Sequence, residues 1–307
     1  MKISHALRTL FASLVCIGAV AAAARADVNI VATTSDLGAL AKAVGGNNAT
    51  VTTLARATED PHFVDARPSF LRILNKADLL IEGGADLEAG WLPPLVNNAR
   101  NAKILSGAQG RFSAAASAGL VLRDVPHSLD RSQGDVHASG NPHFLLSPSN
   151  AAHVALALAE RLAQLDAANA AAYRARAAQF RAEAEKRLAD WRRRLAPLRG
   201  KAVVTYHHSF NYFLDAFELK LADTIEPKPG IEPAAAHIVA LVGRMKSDGV
   251  KLIFAEPNRP TRTCERVATG SGAKLLRLPL MPGGVAGTDD YFTFIEHNVA
   301  AVEATLK

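Results

Sequence analysis

The longest regular pattern of apolar positions in the chain lies between residues 167 and 196. Apolar side chains recur there at steps of three and four residues, which is the stripe of one amphipathic helix. The stripe consists of Tyr173, Ala177, Phe180, Ala184, Leu188, Trp191 and Leu195. Asp166 is a candidate N-cap, and Pro197 with Gly200 ends the pattern. Thirty residues at a rise of about 1.5 Å each give a helix of roughly 45 Å, which is long enough to span two lobes.

Short β-branched and apolar runs alternate with helical patterns before this helix. The predicted strands cover residues 28–32, 50–54, 78–81 and 103–105, and the predicted helices cover residues 36–44, 68–76, 91–98 and 149–165. Strands that alternate with helices form parallel sheets, because each crossover between parallel strands needs a long connection. The first part of the chain therefore predicts a mostly parallel four-stranded sheet.

The same alternation returns after the long helix. The predicted strands cover residues 202–206, 219–225, 250–255 and 274–278, and the predicted helices cover residues 210–217, 234–246, 264–269 and 290–306. Residues 75–83 and 247–256 have similar patterns in equivalent places, which indicates a duplicated α/β unit. The predicted fold class is α/β, with two similar lobes, each a mostly parallel four-stranded sheet flanked by helices, joined by one long backbone helix. The expected divisions are residues 27–147 for the N-terminal lobe, 148–199 for the connecting helices and 200–307 for the C-terminal lobe.

The first 26 residues have the pattern of a secretory signal peptide. Lys2 and Arg8 precede an apolar stretch at residues 10–24, and the end Ala24-Arg25-Ala26 fits the small-residue pattern of a cleavage site. The apolar stretch is shorter than the ~20 residues of a membrane-spanning helix, so we expect cleavage and not anchoring. The mature chain is then exported and does not span the membrane.

The net charge and the cysteine content give no indication of nucleic-acid binding or of a disulfide bond. Without the first 26 residues, 32 basic side chains stand against 29 acidic ones, a net charge near +3 that does not indicate a nucleic-acid partner. Cys264 is the cysteine that remains, so no intrachain disulfide is expected. The fold must therefore depend on its apolar cores.

Two histidines follow predicted strands, and a third lies at the end of the first half of the chain. Ligands of α/β sheets gather beyond the carboxyl ends of the strands, where His62, His143 and His207 fall. Neutral imidazoles are common zinc ligands, and three of them with one further donor make a tetrahedral site. Their spacings of 81 and 64 residues are not a local chelate pattern. The residues alone leave open whether the histidines bind metal or form ordinary loop hydrogen bonds.

Several segments together carry a resemblance to a known family. These are EDPHFVDARPS, GADLEAGWLPPLV, NPHFLLSPSNA, YHHSFNYFLDAFELKL, EPKPGIEPAAAHI and the strand end FAEP. In order and spacing they resemble the zinc- and manganese-binding solute-binding proteins of metal ABC transporters, over nearly all of residues 28–307. The resemblance implies a metal held between two lobes, a periplasmic location, and an inner-membrane ABC permease with its ATPase as partners. We expect a monomer that is not an enzyme.

The resemblance also implies a set of metal ligands. His62 matches the histidine of the family's DPH motif, His143 matches that of its second PH motif, and His207, rather than His208, matches the third position. Many relatives carry a carboxylate after the last strand, but here that segment is LRLPLMPGG, which leaves Asp289 as the expected fourth ligand. Water, Glu59 and Asp60 are alternatives for this fourth position. Asp290 is expected to cap the last helix.

The nature of the ligands favours Zn²⁺ over Mn²⁺, because imidazole suits a borderline-soft ion better than a hard one. A manganese-selective protein of the same kind is the main alternative. A zinc hydrolase is disfavoured because no HExxH pattern is present, and an adhesin is a third possibility.

The loop at residues 107–141 occupies the place of the family's His-rich loop. Two roles are open for it: capture of metal, or a plain exposed surface. Its polar residues are His127, Asp130, Asp135 and His137. Glu256 is a candidate acceptor that fixes a histidine tautomer.

Overall fold

The computed structural model describes residues 27–306 except residues 127, 129, 131–133 and 135. The predicted signal peptide at residues 1–26 lies outside the described residues. Two four-stranded parallel sheets flanked by helices and one long helix make up the architecture, which confirms the predicted fold class.

The first sheet has the strand order β2-β1-β3-β4, and every pair of neighbours is parallel. Its strands are β1 (Val28–Ala32), β2 (Ala49–Thr53), β3 (Leu79–Glu82) and β4 (Arg111–Ser113). The helices of this lobe are α1 (Ser35–Gly45), α2 (Pro68–Asn75), α3 (Leu92–Asn98) and α4 (Ala114–Ser117). Because all four strands are parallel, their carboxyl ends lie along one edge of the sheet.

The fourth strand of this sheet is not where the sequence predicted it. The predicted strand at residues 103–105 overlaps a 3-10 turn at Ala102–Ile104, which the Asn101 side chain caps by accepting a hydrogen bond from the Lys103 backbone. The strand forms at β4 instead, after Gly110, where a Cβ atom would lie 2.4 Å from the Asp78 carbonyl oxygen. With Phe112 as its one large apolar residue, β4 has a weak sequence signal.

Two consecutive helices connect the sheets. They are α5 (Pro148–Leu165) and α6 (Ala170–Leu195), and the 26 residues of α6 make it about 39 Å long. All seven residues of the predicted stripe on α6 are buried. The predicted N-cap was wrong: a 3-10 turn at Ala167–Asn169 precedes α6, and Asp166 accepts hydrogen bonds from the Asn169 side chain and the Tyr173 hydroxyl rather than from helix N–H groups.

The second sheet repeats the plan of the first, with the order β6-β5-β7-β8 and parallel neighbours throughout. Its strands are β5 (Ala202–Thr205), β6 (Lys220–Thr224), β7 (Leu252–Ala255) and β8 (Lys274–Arg277). The helices that follow α6 are α7 (Asn211–Ala216), α8 (Ala235–Ser247), α9 (Thr261–Ser271) and α10 (Tyr291–Glu303).

The largest buried apolar cluster is continuous between the two lobes. It joins side chains of β1 and β3, the buried faces of α5 and α6, and side chains of β5, β7 and α10. Two smaller clusters lie on the other faces of the sheets, one in each lobe. Across the described part of the chain, no helix combines the length and the apolar character that crossing a membrane requires.

Candidate metal centre

The three predicted histidines lie where the two sheets face each other. His62 belongs to the turn that follows β2 and is 7% exposed, and His207 directly follows β5 and is 6% exposed. His143 immediately precedes a 3-10 turn at Phe144–Leu146 that leads into α5. Each residue therefore lies in a backbone segment next to a strand or a helical turn.

The rings of these histidines converge. Their centroids are separated by 5.1 Å (His62 and His143), 5.7 Å (His62 and His207) and 5.5 Å (His143 and His207). One nitrogen from each ring lies within 4.8 Å of the other two. Two nitrogens bonded to one tetrahedral zinc ion at about 2.0–2.1 Å are roughly 3.3 Å apart. A modest inward movement of the loops would thus place all three nitrogens around one ion.

The tautomer of His62 is fixed by Asp60. The Nδ1–H of His62 donates to Asp60 Oδ1 at 2.8 Å, and the backbone N–H of His62 donates to the same oxygen at 3.1 Å. Trp91 Nε1 holds the turn by donating to the Pro61 carbonyl oxygen at 3.0 Å. Burial alone would raise the pKa of Asp60, but the hydrogen bond from His62 and the charge of Arg259 lower it overall. Asp60 is therefore a carboxylate, and in the neutral form of His62 the lone pair lies on Nε2.

His207 is oriented in the same way by Glu226, which follows β6. The Nδ1–H of His207 donates to Glu226 Oε2 at 2.8 Å. Burial, the neighbouring His62 and the charge of Arg259 lower the pKa of His207 well below 6.5. His207 is consequently neutral, with Nε2 free to bind a cation.

His143 supplies the third nitrogen. Its Nε2 is buried and has no hydrogen-bond partner among the described residues. Burial and the neighbouring imidazoles of His62 and His207 lower its pKa well below 6.5. A buried polar atom without a partner is unfavourable, and a metal ion bound to the lone pair of Nε2 would satisfy it.

A fourth imidazole, that of His137, approaches from the loop for which the sequence left two roles open. Its Nδ1 lies 3.0 Å from the Ala85 carbonyl oxygen, which can only accept, so Nδ1 carries the proton. His137 Nε2 lies 3.1 Å from His62 Nε2. Two imidazole nitrogens that both bear lone pairs repel each other unless a proton or a metal ion lies between them. Of the other loop candidates, His127 and Asp135 lie outside the described residues, and Asp130 is exposed and outside the histidine group.

The structure does not bring Asp289 into the histidine group. Asp289 is exposed, and the group of described residues whose ligand atoms all lie within 4.8 Å of one another consists of the three histidines. Glu59 pairs with Arg67 instead, and Glu256 accepts from Ser209 rather than from a histidine. Asp290 caps α10 through a capping box with Thr293, as the sequence predicted.

Comparison with known proteins identifies the family of this chain. The family model described as "ZnuA: Zinc-uptake complex component A periplasmic" matches residues 30–305. The chain belongs to the ZnuA family. Among its relatives, the "High-affinity zinc uptake system protein ZnuA" of Yersinia pestis is 26% identical over 281 residues, 88% of each chain. The protein of the same name from Paracoccus denitrificans is 28% identical over 289 residues, 83% of this chain and 84% of that one.

A solved structure described as "Crystal structure of ZnuA" has the same fold. It matches with a TM-score of 0.74 and 23% identity over 91% of this chain and 98% of that chain. The ZnuA family is one of solute-binding proteins and not of enzymes, which excludes the zinc hydrolase.

Sequence reasoning missed Glu226 and Arg259 in this ZnuA-family chain. Glu226 lies two residues after the end of β6, as His207 lies two residues after the end of β5, so its position at the carboxyl end of a strand was the available signal. Arg259 follows β7 within the segment EPNRP and had no signal of its own. Its surroundings depend on contacts between the lobes that spacing along the chain does not reveal.

Proposed function

We propose that the protein captures Zn²⁺ between its two lobes in the periplasm and delivers it to an ABC permease of the inner membrane, which works with its own ATPase. The observation that carries this proposal is the convergence of His62, His143 and His207, with ligand nitrogens within 4.8 Å of one another. The names of the Yersinia pestis and Paracoccus denitrificans relatives support zinc as the cargo.

The donor set favours zinc over manganese. Three imidazoles provide nitrogen donors, whereas Mn²⁺ prefers carboxylate, carbonyl and water oxygens. Asp60 and Glu226 accept hydrogen bonds from His62 and His207, so these carboxylates serve to orient imidazoles. Carboxylates in this position also raise the basicity of the imidazoles as ligands.

The fourth donor that the geometry supports best is His137 rather than Asp289. His137 Nε2 lies 3.1 Å from His62 Nε2, close to the separation of roughly 3.3 Å expected for two nitrogens on one zinc ion. His137 is not in the group whose ligand atoms all lie within 4.8 Å of one another, so it would have to move towards His143 and His207 to share their ion. A ligand from the loop would also close the mouth of the site. A cavity of about 240 Å³ lies there, lined by His137, His143 and His207 together with Asp124 and Pro229.

Titration of the zinc-free chain spanning residues 27–307 with Zn²⁺ tests the cargo and its ligands. We expect one zinc ion per chain, and His62→Ala, His143→Ala and His207→Ala are each expected to abolish tight binding. His153→Ala is the matched control, because His153 is an exposed histidine on α5. Manganese that displaces zinc at equal concentration, or three variants that bind like the control, would contradict the proposal. Metal analysis of protein purified without added zinc is an independent check.

The fourth donor needs its own pair of variants. His137→Ala is expected to weaken zinc binding measurably, and Asp289→Ala is expected to leave it unchanged. The opposite ranking would restore Asp289 as the fourth ligand. Equal, unweakened binding by both variants would indicate water in that position.

The location and the molecular boundaries are part of the same proposal. Residues 1–26 direct export and are removed, and the mature monomer consists of lobes at residues 27–147 and 200–307 joined by helices at residues 148–199. Fractionation of cells that express the full chain should place it in the periplasm with Asp27 at its N-terminus. Recovery on the cell surface would instead favour the adhesin.

A further inference from the structure

Arg259 is a largely buried arginine near the metal centre, and three carboxylates lie around it. It belongs to the loop after β7, and its side chain is 15% exposed. Its guanidinium nitrogens lie 3.4 Å from a carboxylate oxygen of each of three residues, namely Asp60, Glu226 and Glu256. The guanidinium also lies over the ring of Tyr206, 5.3 Å from its centroid. A largely buried cation with several carboxylate neighbours has little freedom to move.

Two of these carboxylates are the groups that orient metal-site histidines. Asp60 accepts from His62 at 2.8 Å, and Glu226 accepts from His207 at 2.8 Å. Asp60 follows β2 of the first sheet, while Glu226 follows β6 of the second. Arg259 therefore completes a path of polar contacts that starts at an imidazole of one lobe and ends at an imidazole of the other.

We propose that Arg259 is a positioning residue of the metal site, which sets the separation of Asp60 and Glu226 and thereby the aim of the two imidazoles that come from opposite lobes. The planar guanidinium offers five N–H donors in fixed directions, so it can hold two carboxylates at a constant angle. A lysine ammonium has the same charge but no such fixed directions. The inference rests on the proposed function, because it concerns how the same zinc ion is retained.

We expect Arg259 to slow the release of the zinc ion. If Asp60 and Glu226 are free to turn, His62 and His207 sample other orientations, and the ion is released sooner. Replacing an outer partner of a metal ligand typically weakens metal binding by about 10- to 100-fold. Arg259 acts one contact further out, so we expect an effect of about tenfold, at the lower end of that range.

The variants Arg259→Lys and Arg259→Met test this, with Arg67→Met as the matched control. Arg67 also pairs with a carboxylate, Glu59 at 2.9 Å, and lies 5.0 Å from the ring centroid of Phe70, but its partner carboxylate orients no histidine. Zinc release to a chelator in excess should be about tenfold faster for both Arg259 variants and unchanged for Arg67→Met. Arg259→Lys keeps the buried charge, so it remains a fair test if Arg259→Met does not fold.

A second measurement separates positioning from a general structural role. Exchange of the imidazole Nδ1 protons of His62 and His207 with solvent, followed by nitrogen-15 NMR on zinc-free protein, should be faster in Arg259→Lys and unchanged in Arg67→Met. Loosening of the whole fold would accelerate exchange throughout the core, and that result would overturn the assignment.

The outcomes also distinguish this inference from the proposed function. Unaltered zinc release in Arg259→Lys, with tight binding by the unmodified chain, would overturn the role of Arg259 and leave the function intact. Absence of zinc binding by the unmodified chain would remove the proposed function. In that case, faster Nδ1 proton exchange confined to the two histidines would still support positioning by Arg259, and unchanged exchange would overturn it.

Discussion

Glu88 is a buried carboxyl group near the site whose ionisation should lower the free energy of unfolding. Its Oε1 accepts hydrogen bonds from the Thr33 hydroxyl at 2.6 Å and the Gly83 N–H at 2.7 Å, and its Oε2 accepts from the Gly84 N–H at 3.2 Å. These contacts join the loop after β3 to the end of β1. Burial raises the pKa of Glu88 from 4.5 to about 7 against the opposing effect of these hydrogen bonds.

The raised pKa predicts a pH-dependent stability that Glu88→Gln should remove. Between pH 4.5 and about 7 the folded chain holds a proton on Glu88 that the unfolded chain has released. The free energy of unfolding therefore falls as the pH rises through this range, by about 3 kcal/mol for this residue. Because glutamine does not ionise, the fall should be smaller by that amount in the variant.

Urea unfolding of zinc-free protein at pH 5 and pH 7.5 measures this difference. Glu185→Gln is the control, since Glu185 is an exposed residue that pairs with Arg181 on the same helix. Parallel pH dependence in Glu88→Gln and the unmodified chain would show that Glu88 titrates near its ordinary value.

Among the site residues, the sequence predicted those that follow the end of a single strand. His62 and His207 follow strands of the two sheets, and parallel strands bring such positions to one edge. Asp289 was chosen by its place in the chain, and the structure leaves it exposed. His137 approaches the site because its loop folds back over residue 85, which is a contact between distant segments that local patterns do not encode.

The long helix α6 is attached to each lobe by arginines outside its apolar stripe. Arg176 donates to the carbonyl oxygens of Val44 at 2.6 Å and Gly45 at 2.7 Å, at the end of α1. Near the other end of α6, Arg192 donates to the Ala216 carbonyl oxygen, and Arg194 pairs with Glu296 and Glu303. The helix is thus fixed at both of its ends.

Arg176→Met should weaken the attachment of α6 to the N-terminal lobe. The last carbonyl groups of α1 have no partner within their own helix, and the guanidinium satisfies two of them. Hydrogen bonds from a charged donor contribute about 1.5–3 kcal/mol each, so the loss of these two should lower the free energy of unfolding by about 3 kcal/mol.

Chemical denaturation measures this loss, with Arg181→Met as the control on the same helix. Arg181 makes an exposed pair with Glu185 one turn away, which contributes little to stability. Equal stability of the two variants would mean that water replaces the contacts of Arg176 without loss.

Helices and strands were predictable from the sequence where their pattern of apolar residues was strong. The stripe of α6 repeats over seven positions, and every one of them is buried. The strand β4 was missed because only Phe112 marks it, while Ile104, in the segment predicted as a strand, is the buried residue of a 3-10 turn. The position of β4 is set by the close passage of Gly110 over the Asp78 backbone, which is a tertiary contact.

On the scale of the whole molecule, the two lobes are joined by more than α6. The Tyr291 hydroxyl donates to the Leu145 carbonyl oxygen at 2.7 Å, and the Tyr212 hydroxyl donates to the Asn141 carbonyl oxygen at 2.8 Å. Ser35 Oγ donates to the Pro282 carbonyl oxygen at 2.7 Å. Together with the continuous apolar cluster, these contacts oppose a wide hinge motion of one lobe against the other.

Zinc binding should therefore leave the overall dimensions of the molecule unchanged and move only the loops that carry the ligands. For the chain of residues 27–307 a radius of gyration of about 19 Å is expected from its length, with and without zinc. Small-angle X-ray scattering measures this radius, and His62→Ala in the presence of zinc is the control that does not load. Hydrogen exchange should slow on zinc binding around His62, His143 and Glu226, but not in α5 or α6. A zinc-dependent contraction of the unmodified chain, absent from His62→Ala, would mean that the lobes close like a hinge despite the contacts between them.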